Sequence, residues 1–282
     1  PYYTDLRRGR PPTPEQLADL TARYEAIGGI SPLAARTEAQ RDALQAALDA
    51  EAPGGYVVTL GLKHAAPSIE HAVEDLAAAG FRSIVGLVLA PHYSAFSVGQ
   101  YLDRTRAAAE PFGIAVAGID SWALEPAFLD FVAGDLRTRL AAMPQNTKVL
   151  FTAHSLPQRI IAAGDPYPQQ LHSTAEAVAG ALGLSRWSQW AIAWQSAGRT
   201  PEPWIGPDIL QVIDELAASE NASGVLVSAV GFVADHLEVL YDLDIEAARR
   251  AAGHGLAFDR TACVNDDPTV MGALARRVVA AR

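Results

Sequence analysis

The chain has 282 residues, half of them hydrophobic, and its 22 Lys+Arg against 32 Asp+Glu give a formal charge of -10. That balance speaks against nucleic acid as a partner and is compatible with attracting cations. A single cysteine, Cys263, excludes an internal disulfide, a Cys-rich zinc site and an all-cysteine iron–sulfur cluster.

The start, P-Y-Y-T-D-L-R-R-G-R, is polar and basic and lacks the apolar segment of a signal peptide. A first helix is expected from Thr13, where a cap, a proline at the first helical position and Gln16 make a capping box. It should stop at Gly28-Gly29. A second helix is expected from Thr37, with Gln40 closing another capping box, to about Ala50. From there strands and helices alternate. Strands are predicted at 56–61, 84–90, 114–119, 149–153, 190–194 and 225–230, with a short last one around 257–264. Helices are predicted at 67–79, 98–109, 125–142, 168–182 and 207–219, and a final one at 268–281. No apolar run approaches the ~20 residues of a membrane span. With a single cysteine, a reducing, cytoplasmic setting is expected.

Strands alternating with helices of this length predict an α/β protein with parallel sheets flanked by helices. Two sheets of three or four strands fit the length better than one of seven. The expected division is 1–147 and 148–282, with the last helix able to pack back on the first half. The first half opens on two helices with no strand before them. A strand upstream of Pro1 would restore the balance, so a short N-terminal segment is expected to be lacking. No G-x-G-x-x-G follows a strand and no G-K-[ST] occurs, so neither a dinucleotide nor a nucleoside triphosphate is indicated. No helix shows a sustained a/d seam, and a monomer is expected.

Three clusters could carry chemistry. In G-F-V-A-D-H-L-E-V-L-Y-D-L-D-I-E (Gly231–Glu246), Asp235 stands where a helix N-cap would, after the apolar run 225–230. On an α-helix from there, Glu238, Asp242 and Glu246 fall at i, i+4 and i+8 on one face. They are either a solvated acidic face or a track of oxygen ligands for a divalent cation, with His236 as a nitrogen donor beside it. Ala153-His154-Ser155-Leu156-Pro157 puts His154 on a loop at the carboxyl end of a strand in the same half. One cleft could therefore hold His154 and the acidic helix, because open α/β sheets bind ligands at that edge. A nucleophilic Ser155 is the weaker idea, since no G-x-S-x-G elbow is present. The third cluster, Arg7, Arg8, Arg10 and Arg23-Tyr24, is either a solvated patch or a set of forks for carboxylates. Softer positions are Lys63-His64, Pro91-His92-Tyr93-Ser94, Tyr101, Trp194-Gln195-Ser196 and Trp204; the tryptophan segments could wall a flat apolar ligand.

Taken together these strings resemble the ferrochelatase family, in particular the coproporphyrin-type enzymes of Gram-positive bacteria. The matching strings are Y-Y-T-D-L-R-R-G-R, R-Y-E-A-I-G-G-I-S-P-L, G-L-K-H, L-A-P-H-Y-S, A-H-S-L-P, G-D-P-Y-P, A-W-Q-S, P-W-I-G-P and G-F-V-A-D-H-L-E-V-L-Y-D. The resemblance implies two Rossmann-like halves with a porphyrin in the cleft between them. It implies insertion of Fe²⁺, as a substrate, into coproporphyrin III in haem biosynthesis, with no permanent cofactor and no iron–sulfur cluster. The alternatives are a protoporphyrin IX ferrochelatase, a cobalt chelatase of the same fold, or a non-catalytic porphyrin or metal carrier. By family pattern His154 and Glu238 face each other and handle the metal. Arg7, Arg23, Tyr24, Ser31 and Tyr101 hold the porphyrin and its propionates. Asp235, His236, Asp242, Glu246, Lys63, His64 and Trp204 are the supporting or outer metal positions. The family's first strand, with its glycine loop and a tyrosine, would lie upstream of Pro1.

Overall fold

Thr13 caps the first helix as its sequence predicts: its hydroxyl accepts from the Gln16 N–H while the Gln16 side chain accepts from the Thr13 N–H. The computed structural model describes residues 9, 11–186, 188–198 and 200–282. It divides into two compact units, one of Pro1–Leu89, Tyr93–Ser121 and Asp266–Arg282, the other of Ala90–His92 and Trp122–Asn265. The division after Ser121 precedes the expected boundary at 147, and the helix Pro126–Ala142 goes with the second unit.

Unit 1 contains helices α1 (Pro14–Ala26), α2 (Leu33–Glu51), α3 (Ile69–Ala78) and α4 (Val98–Ala109), strands β1 (Ser83–Leu87) and β2 (Ala115–Ile119), and the C-terminal helix, which packs on α2. α2 begins four residues before Thr37. Thr37 sits inside it with its hydroxyl on the Leu33 carbonyl, and Gln40 is buried, so the apparent capping box there is a helix interior. β1 and β2 pair in parallel, Ser83 opposite Ala115 through Leu87 opposite Ile119. Leu102 of α4 lies directly on this pair, where a Cβ on Gly86 would come within 2.7 Å of its Cδ2. A side chain at Gly86 would have to push the Leu102 methyl aside.

The strand expected at 56–61 does not form: the segment has no regular secondary structure and joins no ladder, and its neighbour Leu62 makes an isolated bridge to Ser68. Gln45 of α2 bonds the carbonyl of Tyr56 and the N–H of Val58, as a strand would. Apolar, β-rich sequence becomes a strand only where another backbone lies beside it.

Unit 2 runs α5 (Pro126–Ala142), β3 (Thr147–His154), α6 (Arg159–Ala162), α7 (Tyr167–Ala181), β4 (Trp190–Gln195), α8 (Ile209–Ala218) and β5 (Gly224–Ser228). A π-helix (Val239–Ala247), α9 (Ala248–Gly253) and β6 (Ala257–Arg260) complete it; α10 (Pro268–Ala280) belongs to unit 1. Its sheet is parallel throughout in the order β4-β3-β5-β6. Leu150, Ala193, Val225 and Val227 bury one face against Ile209 and Ile213 of α8 and Val239 and Leu243 of the π-helix. Arg139 on α5 bonds both Asp135 and Asp259, tying that helix to β6.

The acidic helix departs from expectation in two ways. It is a π-helix rather than an α-helix, and it starts at Val239, so Asp235 is not its cap. Asp235 is instead engaged by Arg260 at 3.0 Å and by the Asn265 amide at 2.9 Å. Among the described residues no helix is long and apolar enough to cross a membrane.

Candidate active site

Three carboxyl ends of the unit 2 sheet build the site. β3 ends on His154, opposite Gln195 at the end of β4, and β5 ends at Ser228 just before Gly231. A Cβ on Gly231 would stand 2.3 Å from the Cβ of Ala153, so glycine there lets the segment carrying Glu238 lie against the strand carrying His154.

The loop after His154 is stitched to residues 203–205. The Leu156 carbonyl accepts from the Ile205 N–H at 2.9 Å, and the Gln158 N–H donates to the Pro203 carbonyl at 2.9 Å. Ser155 is buried with its hydroxyl donated to the Ile205 carbonyl at 2.6 Å, a structural tie and not a free nucleophile.

The His154 Nδ1 bonds the Ser155 carbonyl. A carbonyl only accepts, so Nδ1 carries a proton, and the lone pair of the neutral tautomer is on Nε2. That Nε2 lies 3.7 Å from Glu238 Oε2. His236 is arranged alike: its Nδ1 bonds the Ala234 carbonyl at 2.9 Å, and its Nε2 lies 3.6 Å from the same Glu238 oxygen. Phe232 contacts both rings, with centroids 6.5 Å from His154 and 5.2 Å from His236, and Trp204 lies 6.3 Å from His154. The two imidazoles converge on one carboxylate oxygen and do not enclose a vacant centre. Accordingly, among the described residues no cage of three or more His, Cys, Asp or Glu side chains could hold a metal ion.

Asp242 is buried and bonded to the Ser196 hydroxyl, and Ser196 reaches it from a left-handed backbone at φ 60°. Glu246, further along the π-helix, lines a groove of about 380 Å³ with Tyr241, Arg249 and His254. Asp235 has its oxygens committed to Arg260 and Asn265, and Arg260 also pairs with Asp244. Cys263 is buried nearby, and burial pushes its thiol up to about 12.

The profile of one protein family, described as Ferrochelatase, matches residues 9–282. The chain belongs to the ferrochelatase family. It is 45% identical to the coproporphyrin III ferrochelatase of Geobacillus kaustophilus over 99% of this chain and 89% of that protein. It is 44% identical to the ferrochelatase of Herpetosiphon aurantiacus over 97% of this chain and 90% of that one. In fold it is similar to SirB from Bacillus subtilis with Fe3+, at a TM-score of 0.61 and 14% identity over 85% of this chain and 88% of that one.

The remaining positions suggested by the ferrochelatase resemblance lie in unit 1. Arg7 falls outside the described residues, as do Arg8 and Arg10. Arg23 and Tyr24 stand in the last turn of α1, Arg23 within 3.3 Å of Asp19. The Ser31 hydroxyl accepts from the Leu33 N–H at 3.4 Å at the start of α2. Lys63 bonds the Gln100 side chain and sits 5.9 Å over the Tyr101 ring, whose hydroxyl burial pushes up. Arg104 holds this corner together, bonding the Lys63 carbonyl and clasping Glu70 with two nitrogens. His64 follows, half-buried. Trp194 and Gln195, read as a possible ligand wall, are buried, and Trp194 packs on Tyr167; Ser196 and Trp204 are partly exposed.

Two residues build the site in ways the sequence reading did not give them. Gln195 accepts from the Thr152 hydroxyl and reaches the Glu238 carbonyl, linking both arms of the site. Tyr167, positioned by the Asp165 carboxylate at the start of α7, donates its hydroxyl to the His154 carbonyl at 3.1 Å. Burial holds that phenol protonated well above its ordinary range. The available signal was polarity out of place: Thr152 and Gln195 interrupt apolar strands, where a buried polar group needs a partner.

Proposed function

We propose that this chain inserts Fe²⁺ into a porphyrin, with coproporphyrin III as substrate, and that His154 and Glu238 are its central groups. The observation that carries this reading is the pair itself: an imidazole fixed through Nδ1 to a backbone carbonyl, with its Nε2 facing a carboxylate at 3.7 Å. Insertion exchanges one Fe²⁺ for the two pyrrole N–H protons, so a base has to stand at the reacting face. An imidazole is the side chain most often used for such proton transfer. We assign His154 as the proton acceptor and first contact with the ion, and Glu238 as the anion that stabilises both the incoming cation and the imidazolium once formed. His236, with its own Nε2 on the same carboxylate, is a supporting donor. Arg23, Tyr24, Ser31 and Tyr101 are proposed to hold the porphyrin.

The identity to a coproporphyrin III ferrochelatase along nearly the whole chain supports the substrate. The iron is the reaction's substrate, and no resident cofactor is invoked. The test is anaerobic Fe²⁺ insertion assayed with coproporphyrin III, protoporphyrin IX and sirohydrochlorin side by side. Metallation of coproporphyrin III is expected to be fastest, and His154→Ala should slow it by roughly 10²–10⁴-fold with porphyrin binding retained. Binding without metallation by the parent chain would make the protein a carrier. A parental rate in His154→Ala would remove His154 from the chemistry.

A further inference from the structure

Arg260 is the last residue of β6, and its base is set by the sheet. It stands opposite Val227 of β5, and the Thr261 N–H donates to the Val227 carbonyl at 2.8 Å. From there its guanidinium reaches two carboxylates. Nη2 lies 3.0 Å from Asp235 Oδ1 and 2.9 Å from Asp244 Oδ2, while Nε donates to Asp244 Oδ1. Nη1 donates to the Thr261 carbonyl at 3.0 Å, so all three nitrogens are engaged. The Arg260 side chain is 15% exposed and that of Asp235 18%, which sets this pair apart from the solvated ion pairs of the surface.

Asn265 takes up what Arg260 leaves of Asp235. Its amide donates to Asp235 Oδ2 at 2.9 Å, and its side-chain oxygen accepts from the Asp235 N–H at 3.0 Å. Its own N–H donates to the Val233 carbonyl at 2.7 Å. Asn265 does this from a left-handed backbone at φ 48°, a conformation that asparagine adopts more readily than most residues.

The two carboxylates that Arg260 holds flank Glu238. Asp235 precedes it in the loop, and Asp244 follows it on the π-helix, so Glu238 and His236 both lie within a span tied at each end to one group. The Glu238 side chain is 40% exposed, too little covered for packing alone to place it. Its position is inherited from the main chain on either side. We infer that Arg260 is a positioning residue for metal insertion: it ties Asp235 and Asp244 to the edge of the sheet and so fixes the main chain from which Glu238 faces His154. The inference rests on Glu238 being the anion of the reaction. Asp235, an outer metal position by resemblance, is here the anchor of the brace. Arginine suits the task because its planar fork can serve two carboxylates at once in fixed directions.

The experiment measures kcat, both KM values and the thermal midpoint for Fe²⁺ insertion into coproporphyrin III under anaerobic conditions. Asp244→Ala cuts one tie and leaves Asp235 on Arg260 and Asn265; Arg260→Met cuts both. kcat is expected to fall roughly 10-fold in the first and up to about 100-fold in the second. KM for the porphyrin should stay within about 2-fold. Asp244→Asn keeps an acceptor oxygen and should recover most of the loss. The deciding readout is the Glu238→Gln background. A brace that acts through that carboxylate has little left to position there, so adding Asp244→Ala should slow the reaction by less than about 2-fold, whereas a merely structural defect would multiply in full. Parental kcat in both brace variants, or an undiminished loss in the Glu238→Gln background, would overturn the inference. A slow Glu238→Gln beside brace variants at the parental rate sinks the brace alone. A parental rate in Glu238→Gln sinks the role of Glu238 and the brace with it. Should Arg260→Met fold poorly, Asp244→Ala still decides, because the Asp244 side chain is 37% exposed.

Discussion

Among the described residues, unit 2 buries a sheet of four parallel strands, whereas unit 1 pairs two strands and its apolar stretch 56–61 joins no ladder. Both halves are written in the same alternation of apolar runs and amphipathic helices. What differs is burial: β5 of unit 2 is buried at every residue, whereas none of β1 is fully buried. A strand's stability is a property of its neighbours, so the less covered strand is the weaker one. The site chemistry follows the same division: the imidazole and carboxylate pair stands on the completed sheet, and His154 is the last residue of its central strand.

Core substitutions should give the widest contrast. Phe151→Ala, in the buried centre of β3, is expected to cost ~3–5 kcal/mol of unfolding free energy, measured by urea denaturation. Ile84→Ala on half-buried β1 should cost about 1–2 kcal/mol, because part of that side chain is already solvated. Equal costs would break the comparison between a fully buried sheet and a half-buried one.

Acid should then separate the two units. In unit 2, burial depresses the His92 imidazole to about 3, with its Nε2 on the Thr174 hydroxyl and its Nδ1 without a partner among the described residues. An unfolded histidine titrates near ~6.5, so the unfolded chain takes the proton first as pH falls. Stability is therefore full above that value and is lost as pH drops toward 3, with a slope approaching ~1.4 kcal/mol per pH unit. A neutral replacement, His92→Asn, should flatten the slope between pH 6 and 4 in unfolding titrations.

Unit 1 has a weaker and later acid response. Arg104 bonds Glu70 with two nitrogens and lowers its carboxyl to about 2. Its contribution is present above about pH 4.5 and is lost as pH falls through the folded value. The Glu70 side chain is 46% exposed, and solvent screening keeps the pair to about 1 kcal/mol or less. Glu70→Gln should lower the Tm slightly at pH 7 and leave it unchanged at pH 2. An effect as large as that of His92 would reverse the ranking of the two units.

Element types were legible wherever local signal and neighbours agreed. Thr13-x-x-Gln16 is a capping box in both sequence and structure. Thr37-x-x-Gln40 has the same letters but lies inside a helix, because Pro32 had already started it and Gln40 faces the interior. The π-helix was hidden because carboxylates four residues apart share a face in an α-helix too, and only backbone bonding separates the two forms. His154 and Glu238 could be paired from their places at carboxyl ends of strands in one half. The residues that orient them, Gln195, Tyr167 and Ser155, act through main-chain carbonyls and N–H groups. Such partners leave no trace in side-chain spacing.

Gly231 sets a length scale for the chemistry. A single extra carbon there would collide with Ala153, one residue from the imidazole, and the collision could be relieved only by lifting away the arm that carries Glu238. The distance from the His154 imidazole to the Glu238 carboxylate is therefore gauged by two main chains in direct touch, and a bulkier residue at this distant-looking position would widen that gap without touching either side chain.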